Sequence, residues 1–276
     1  MFYSGKYIDL FECAMRILFI KKGYGAIPHL DAMGKRCFGF CNGGEGKGYY
    51  IPIVGIAEAV GTIAEYTKLE GKLKIQRLET AEEFMEYAAE GIVYGPIKEV
   101  VAIRQVKNLY YRAENRYMYI QAESEGGYCV TDPDGFPVLY YREQEMRALF
   151  CHEKGIVIRL QENEGMHSHI EDIETIWRNG WEFHGRVVTQ QRTTLCKDAF
   201  KGYNGSASSQ IALRYGVINF LENVEKIRNL GYDLGRVEKR SNLRKMQCEM
   251  LEIAECGQVD RLPSVEAEIW KELYEI

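Results

Sequence analysis

Hydrophobic positions along the chain change period twice. Between Ile8 and Lys21, the residues Leu10, Phe11, Ala14, Ile17 and Leu18 recur at three- and four-residue steps, which predicts an amphipathic helix. Asp9 followed by Glu12 has capping-box spacing and would put Cys13 in or just after the first turn. Gly23, preceded by Lys21 and Lys22, is the expected stop, because glycine accepts the left-handed conformation that closes a helix and lysines suit its negative end. A glycine-dense stretch from Gly34 to Gly48 follows. Tyr50–Tyr66 and Thr80–Glu90 read as strand or helix, the second with capping-box spacing from Thr80 to Glu83 ahead of Phe84, Tyr87 and Ala88.

From Gly95 to Leu160 the pattern shortens to β-like runs. Pro96–Ile103, Tyr117–Ala122, Tyr128–Thr131 and Gly155–Leu160 are the expected strands. The middle two form a hairpin across Gly126 and Gly127, and Asp132–Gly135 carries a strong turn signal. Past Gly165 the helical period returns. One helix opens at Ser168 and Glu171 and carries Ile170, Ile173, Trp177, Trp181 and Val188. A second carries Ile211, Tyr215, Ile218, Leu221 and Val224 and ends near Gly231; two more lie around Leu243–Ile253 and after Pro263. The expected class is α+β, with an α+β domain over residues 1–162 and an all-α domain over 163–276.

Composition narrows this little. With 35 Lys+Arg against 40 Asp+Glu the net charge is −5, which argues against a general nucleic-acid partner. No apolar run reaches the ~20 residues of a membrane span. The first six residues lack a signal-type pattern, so the expectation is a cytoplasmic protein whose eight cysteines are mostly free thiols. Cys37 and Cys41 have no second pair at zinc-like spacing, and His167 with His169 reads as an ordinary helix start, so neither a metal nor another cofactor is expected. Cys151 and His152 make a dyad only if the fold brings a third group to them.

Cys13 is the candidate for chemistry. Aligned backbone dipoles at a helix start favour the thiolate, the form that attacks acyl carbons, while Asp9 and Glu12 work against it; core packing is the plainer reading of such a cysteine.

Three stretches, Glu12–Tyr24, Gly34–Asn42 with its Phe-Gly-Phe, and Tyr117–Pro133, together resemble the N-terminal domain family of butirosin-biosynthesis protein H, over residues 1–160 or so. The resemblance implies a papain-like fold, related to C39-type peptidases, followed by a helical part. It implies a thiol-dependent acyltransferase of small-molecule biosynthesis, moving an acyl group from a carrier-protein thioester to an amine through a cysteine acyl-enzyme. By the same resemblance Cys13 falls at the nucleophile and Asp132 at the residue that orients the base. The family's histidine belongs sixteen residues before that aspartate, where this chain has Arg116; no histidine occurs between His29 and His152. Arginine stays protonated to pH ~12 and is no general base. Arg116 paired with Asp132, or His29 or His152 brought in from elsewhere, are the alternatives for restoring the site. The rival reading is a non-catalytic papain-like protein that binds a small ligand, a carrier protein or a partner enzyme in the same cleft. A homo-oligomer stays open.

Overall fold

The computed structural model describes residues 10–25, 27–30, 38–42, 48–52, 55–97, 116–123, 126–131, 139–152, 154–162, 173–191 and 203–274. The first helix, α1, spans Leu10–Lys21, inside its expected limits. Its end is set by Gly23 at φ 79°: Gly23 N–H donates to the Ile20 carbonyl at 3.1 Å and Tyr24 N–H to that of Phe19 at 2.9 Å. This is the hydrogen-bond pattern of a Schellman cap, and its apolar contact is present, with the Phe19 and Tyr24 rings 5.9 Å apart edge to face.

The glycine-dense stretch holds an antiparallel hairpin, β1 (Phe38–Asn42) and β2 (Gly48–Pro52). Helix α2 (Ile56–Thr67) follows, then strand β3 (Leu73–Arg77) and helix α3 (Ala81–Glu90). The Thr80 hydroxyl accepts from Glu83 N–H at 3.2 Å, as the Thr80–Glu83 spacing predicts, while the Glu83 carboxylate reaches back to Glu79 N–H at 3.4 Å.

The remaining strands are β4 (Ile92–Ile97), β5 (Arg116–Ala122), β6 (Tyr128–Thr131), β7 (Leu139–Tyr141) and β8 (Ile156–Leu160). With β3 they form one antiparallel sheet in the order β3-β8-β4-β5-β6-β7. The strand expected over Pro96–Ile103 begins earlier, at Ile92, and residues 98–103 lie outside the described ones. Ile92, Val93 and Tyr94 are all fully buried, so this central strand shows no alternation to read.

Helices cover both faces of the sheet. Val93, Tyr117, Tyr119, Ile158 and Leu160 face α1 and α2. Ile92, Tyr94, Met118, Ile120, Val130 and Val157 face α3 and α4 (Glu143–His152). On that second face Phe84 stacks on Phe150 with centroids 5.1 Å apart and tilts against Tyr94 at 4.8 Å. The mixed helix-and-sheet class is as expected.

The C-terminal helices are α5 (Ile173–Gln191), α6 (Ala207–Asp233), α7 (Leu243–Glu255) and α8 (Leu262–Tyr274). Of the apolar stripe expected on α6, Leu221 and Val224 are buried and Ile218 is half-buried, while the side chains of Ile211 and Tyr215 lie outside the described residues; Leu213, Val217, Phe220, Ile227 and Leu230 extend the buried face. The helix also continues past Gly231 to Asp233; a Cβ at Gly231 would overlap the Trp181 ring, so this glycine serves close packing rather than a helix stop. This layer meets the rest of the fold where α6 lies against β1 and β2 and where Trp177 of α5 packs against both apolar clusters.

Two consequences are measurable. A Cβ on Gly155 would stand 2.7 Å from the Gly95 carbonyl oxygen, so Gly155→Ala lowers unfolding stability by about 1–3 kcal/mol, read from the urea midpoint. Burial, helped by the charges of Cys129 and Glu162, pushes the Tyr119 hydroxyl up to about 12. Unfolded tyrosine ionises near pH ~10, so this contribution to stability is whole below that pH and is lost as pH rises toward the folded value. Tyr119→Phe therefore has a shallower fall in unfolding free energy across that alkaline window than the parent protein.

Candidate functional site

Helix α1 runs parallel to β5. Phe11, in its first turn, meets Tyr117 edge to face at 5.5 Å, at the start of β5. At its other end Lys22 Nζ donates to the Glu90 carbonyl at 2.6 Å, beside Ile92, which pairs with Ile120. Because β5 and β6 are antiparallel, with Tyr119 opposite Thr131, the first turn of α1 lies at the sheet end where β5 begins and β6 finishes. Cys13 is in that turn, half-buried and outside any disulfide. Arg116 is the first residue of β5 and pairs with Ile97, and Asp132 is the residue after β6. The Arg116 side chain and all of Asp132 lie outside the described residues, as does Asp9.

The electrostatics of this turn centre on Glu12, whose carboxylate is 2% exposed. An isolated charge at such depth is too costly to persist, so it must be paired. Arg16 Nη2 meets Oε1 at 2.5 Å one turn along the helix, and Lys226 Nζ of α6 meets Oε2. The sequence gives Glu12 the role of opposing a thiolate at Cys13; in the structure two cations offset that charge. Asn223, one turn before Lys226 on the same side of α6, is 1% exposed, and neither atom of its side-chain amide has a hydrogen-bond partner. Leaving such an amide buried and unmet costs about 1–3 kcal/mol. Sequence reading missed both residues: Lys226 is 214 positions from Glu12, and Asn223 sits inside an otherwise apolar run.

The histidines divide plainly. His29 Nε2 lies 2.8 Å from Asp233 Oδ2 at the end of α6, with its ring edge-on to Trp177 at 5.0 Å. It joins the segment after α1 to the helical layer, next to the hydrogen bond from Trp177 Nε1 to the Pro28 carbonyl at 3.2 Å. His152 ends α4, on the sheet face opposite α1, and its side chain is outside the described residues. His184 is fully buried, with Nδ1 2.5 Å from the Tyr274 hydroxyl and its ring against Trp270. His167 and His169 lie outside the described residues.

Of the other cysteines, Cys151, Cys248 and Cys256 are exposed free thiols. Cys129 is half-buried 3.9 Å from the Thr131 hydroxyl, and burial pushes its thiol up. The side chains of Cys37, Cys41 and Cys196 lie outside the described residues. Among the described residues no group of three metal-ligating side chains occurs, and no helix is long and apolar enough to cross a membrane. No protein-family model matches the chain, and no curated protein matches it.

The pairing across the seam has a measurable energy. Lys226→Met removes one of the two cations paired with buried Glu12 and costs about 2–4 kcal/mol of stability. Combined with Glu12→Gln, the loss is smaller than the sum of the two single effects, giving a coupling of about 1–3 kcal/mol in a double-mutant cycle of urea unfolding.

Proposed function

We propose that the protein is a cysteine-dependent acyltransferase of papain-like type, with the acyl group carried on Cys13. The observation that supports this reading is the position of Cys13: the first turn of a helix laid over the start of β5, at the sheet end from which β6 runs on to Asp132. That is where the resemblance to the butirosin protein H family places the nucleophile, the base position and the orienting acid. The base position holds Arg116, so the chemistry suits a donor that asks little of a general acid. A thioester fits, because its leaving thiolate departs without prior protonation.

In the first step the Cys13 thiolate attacks the thioester carbonyl carbon. The new C–S bond forms at Cys13, the donor C–S bond breaks, and the donor thiol leaves as thiolate. In the second step an amine attacks the acyl-enzyme, a C–N bond forms, the bond to Cys13 breaks, and the amine's proton is lost to solvent. N–H groups at the start of α1 would stabilise the oxyanion of both steps. The donor is a carrier-borne or free acyl thioester.

The rival reading, a ligand-binding protein without catalysis, is favoured by the Arg116 substitution and by the engagement of His29 with Asp233 and of His184 with Tyr274. Incubation with a short acyl N-acetylcysteamine thioester, followed by intact-mass and peptide mass spectrometry, separates the two. The expected result is one acyl adduct on Cys13, formed at least tenfold faster than on exposed Cys151, Cys248 or Cys256, absent in Cys13→Ala and discharged by added amine. Adducts distributed over the exposed cysteines, with Cys13 unmodified, would retire the acyltransferase.

A further inference from the structure

Cys13 stands between two residues whose charges the fold holds in place. Glu12 precedes it, buried and clamped between Arg16 and Lys226. Arg16 follows three positions later, which puts the two side chains on adjacent sites of the helix surface, with Cβ atoms about 5–6 Å apart. The Arg16 guanidinium is directed back along α1 toward Glu12. Among the described residues the charged groups of this turn are therefore one carboxylate and two cations.

The packed elements add little to that balance. Strand β4 carries no charged residue between Ile92 and Ile97. The charged residue of β8, Arg159, lies over the Tyr87 ring, 4.2 Å from its centroid, with α3. In β5 the charged residue is Arg116, itself a cation.

We propose that Arg16 and Lys226 are positioning residues for Cys13, and that they supply the positive potential an imidazolium supplies in a cysteine–histidine pair. Lys226 offsets the Glu12 charge, which would otherwise hold the thiol protonated. Arg16, fixed by that carboxylate and three positions from Cys13 on the helix, then favours its thiolate. The thiol proton goes to solvent. No proton relay is involved, which matches a site where arginine occupies the base position. The proposal builds on the reading of Cys13 as a nucleophile but concerns only its ionisation, so it is tested without any acyl donor.

The test is the pH dependence of Cys13 alkylation by iodoacetamide, between pH 5 and 10, followed by peptide mass spectrometry on protein whose folding is verified by circular dichroism. Removal of one nearby cation by Arg16→Met or Lys226→Met should raise the midpoint by about half to one pH unit. Lys226→Arg, which keeps the charge, should restore it, and Glu12→Gln should lower it. Cys248 and Cys256, both exposed on or beside α7, should keep their midpoints in every variant. A purely structural role would change stability and leave these midpoints in place.

Should Lys226→Met not fold, Glu12→Gln with Lys226→Met removes no net charge, and Arg16→Met added to that pair carries the same expected rise. Coincident Cys13 midpoints in the parent, Arg16→Met and whichever Lys226 variant folds would overturn the proposal. The two readings fail separately. A shifted profile without an acyl adduct ends the acyltransferase and keeps the charge arrangement, whereas an adduct with an unmoved profile does the reverse.

Discussion

The buried carboxylate of Glu12 ties the first helix to the helical layer. It lies in the first turn of α1, where Arg16 of the same helix and Lys226 of α6 both meet it. Once α6 is fixed there, its far end brings Asp233 to His29, and the preceding helix brings Trp177 to Pro28. Three polar contacts thus run along one seam between the helical layer and the segment 10–30. Apolar packing alone is tolerant of sliding, whereas a buried ion pair tolerates little, since displacement leaves a charge without water or partner.

The sheet imposes the second constraint. Its central strands are covered on both faces, so α1 and α4 are separated by a full layer of side chains. This decides which residues can meet the first turn of α1. Groups at the start of β5 and the end of β6 share its end of the sheet, while the helix that finishes at His152 belongs to the other face.

Legibility in the sequence followed the range of the interaction. The end of α1, its glycine stop and the Thr80 cap depend on neighbours within five residues, and pattern alone located them. The β5–β6 hairpin was equally plain, from alternation and two glycines. The start of β4 was not, because a strand buried on both faces has no period to read. The stripe of α6 was legible only in part, at Leu221 and Val224: with apolar residues at Val217, Ile218, Phe220 and Leu221, more than one face satisfies the helical period, and packing on α5, α7 and α8 makes the choice. The charge around Cys13 was the least legible. Glu12 reads as a capping acid with an unfavourable charge until its partner, more than two hundred residues away, is in place.

All three tryptophans, Trp177, Trp181 and Trp270, lie in the helical layer, and Trp177 spans the seam. The sheet layer is furnished with tyrosine and phenylalanine instead, at Tyr94, Tyr117, Tyr119, Phe84 and Phe150. The molecule therefore carries two separate optical reporters. Indole emission follows the helical layer and its contact with Pro28, whereas tyrosine absorbance is weighted toward the sheet. Whether the two layers melt as one cooperative unit is thus written into the ultraviolet spectrum of the unlabelled chain.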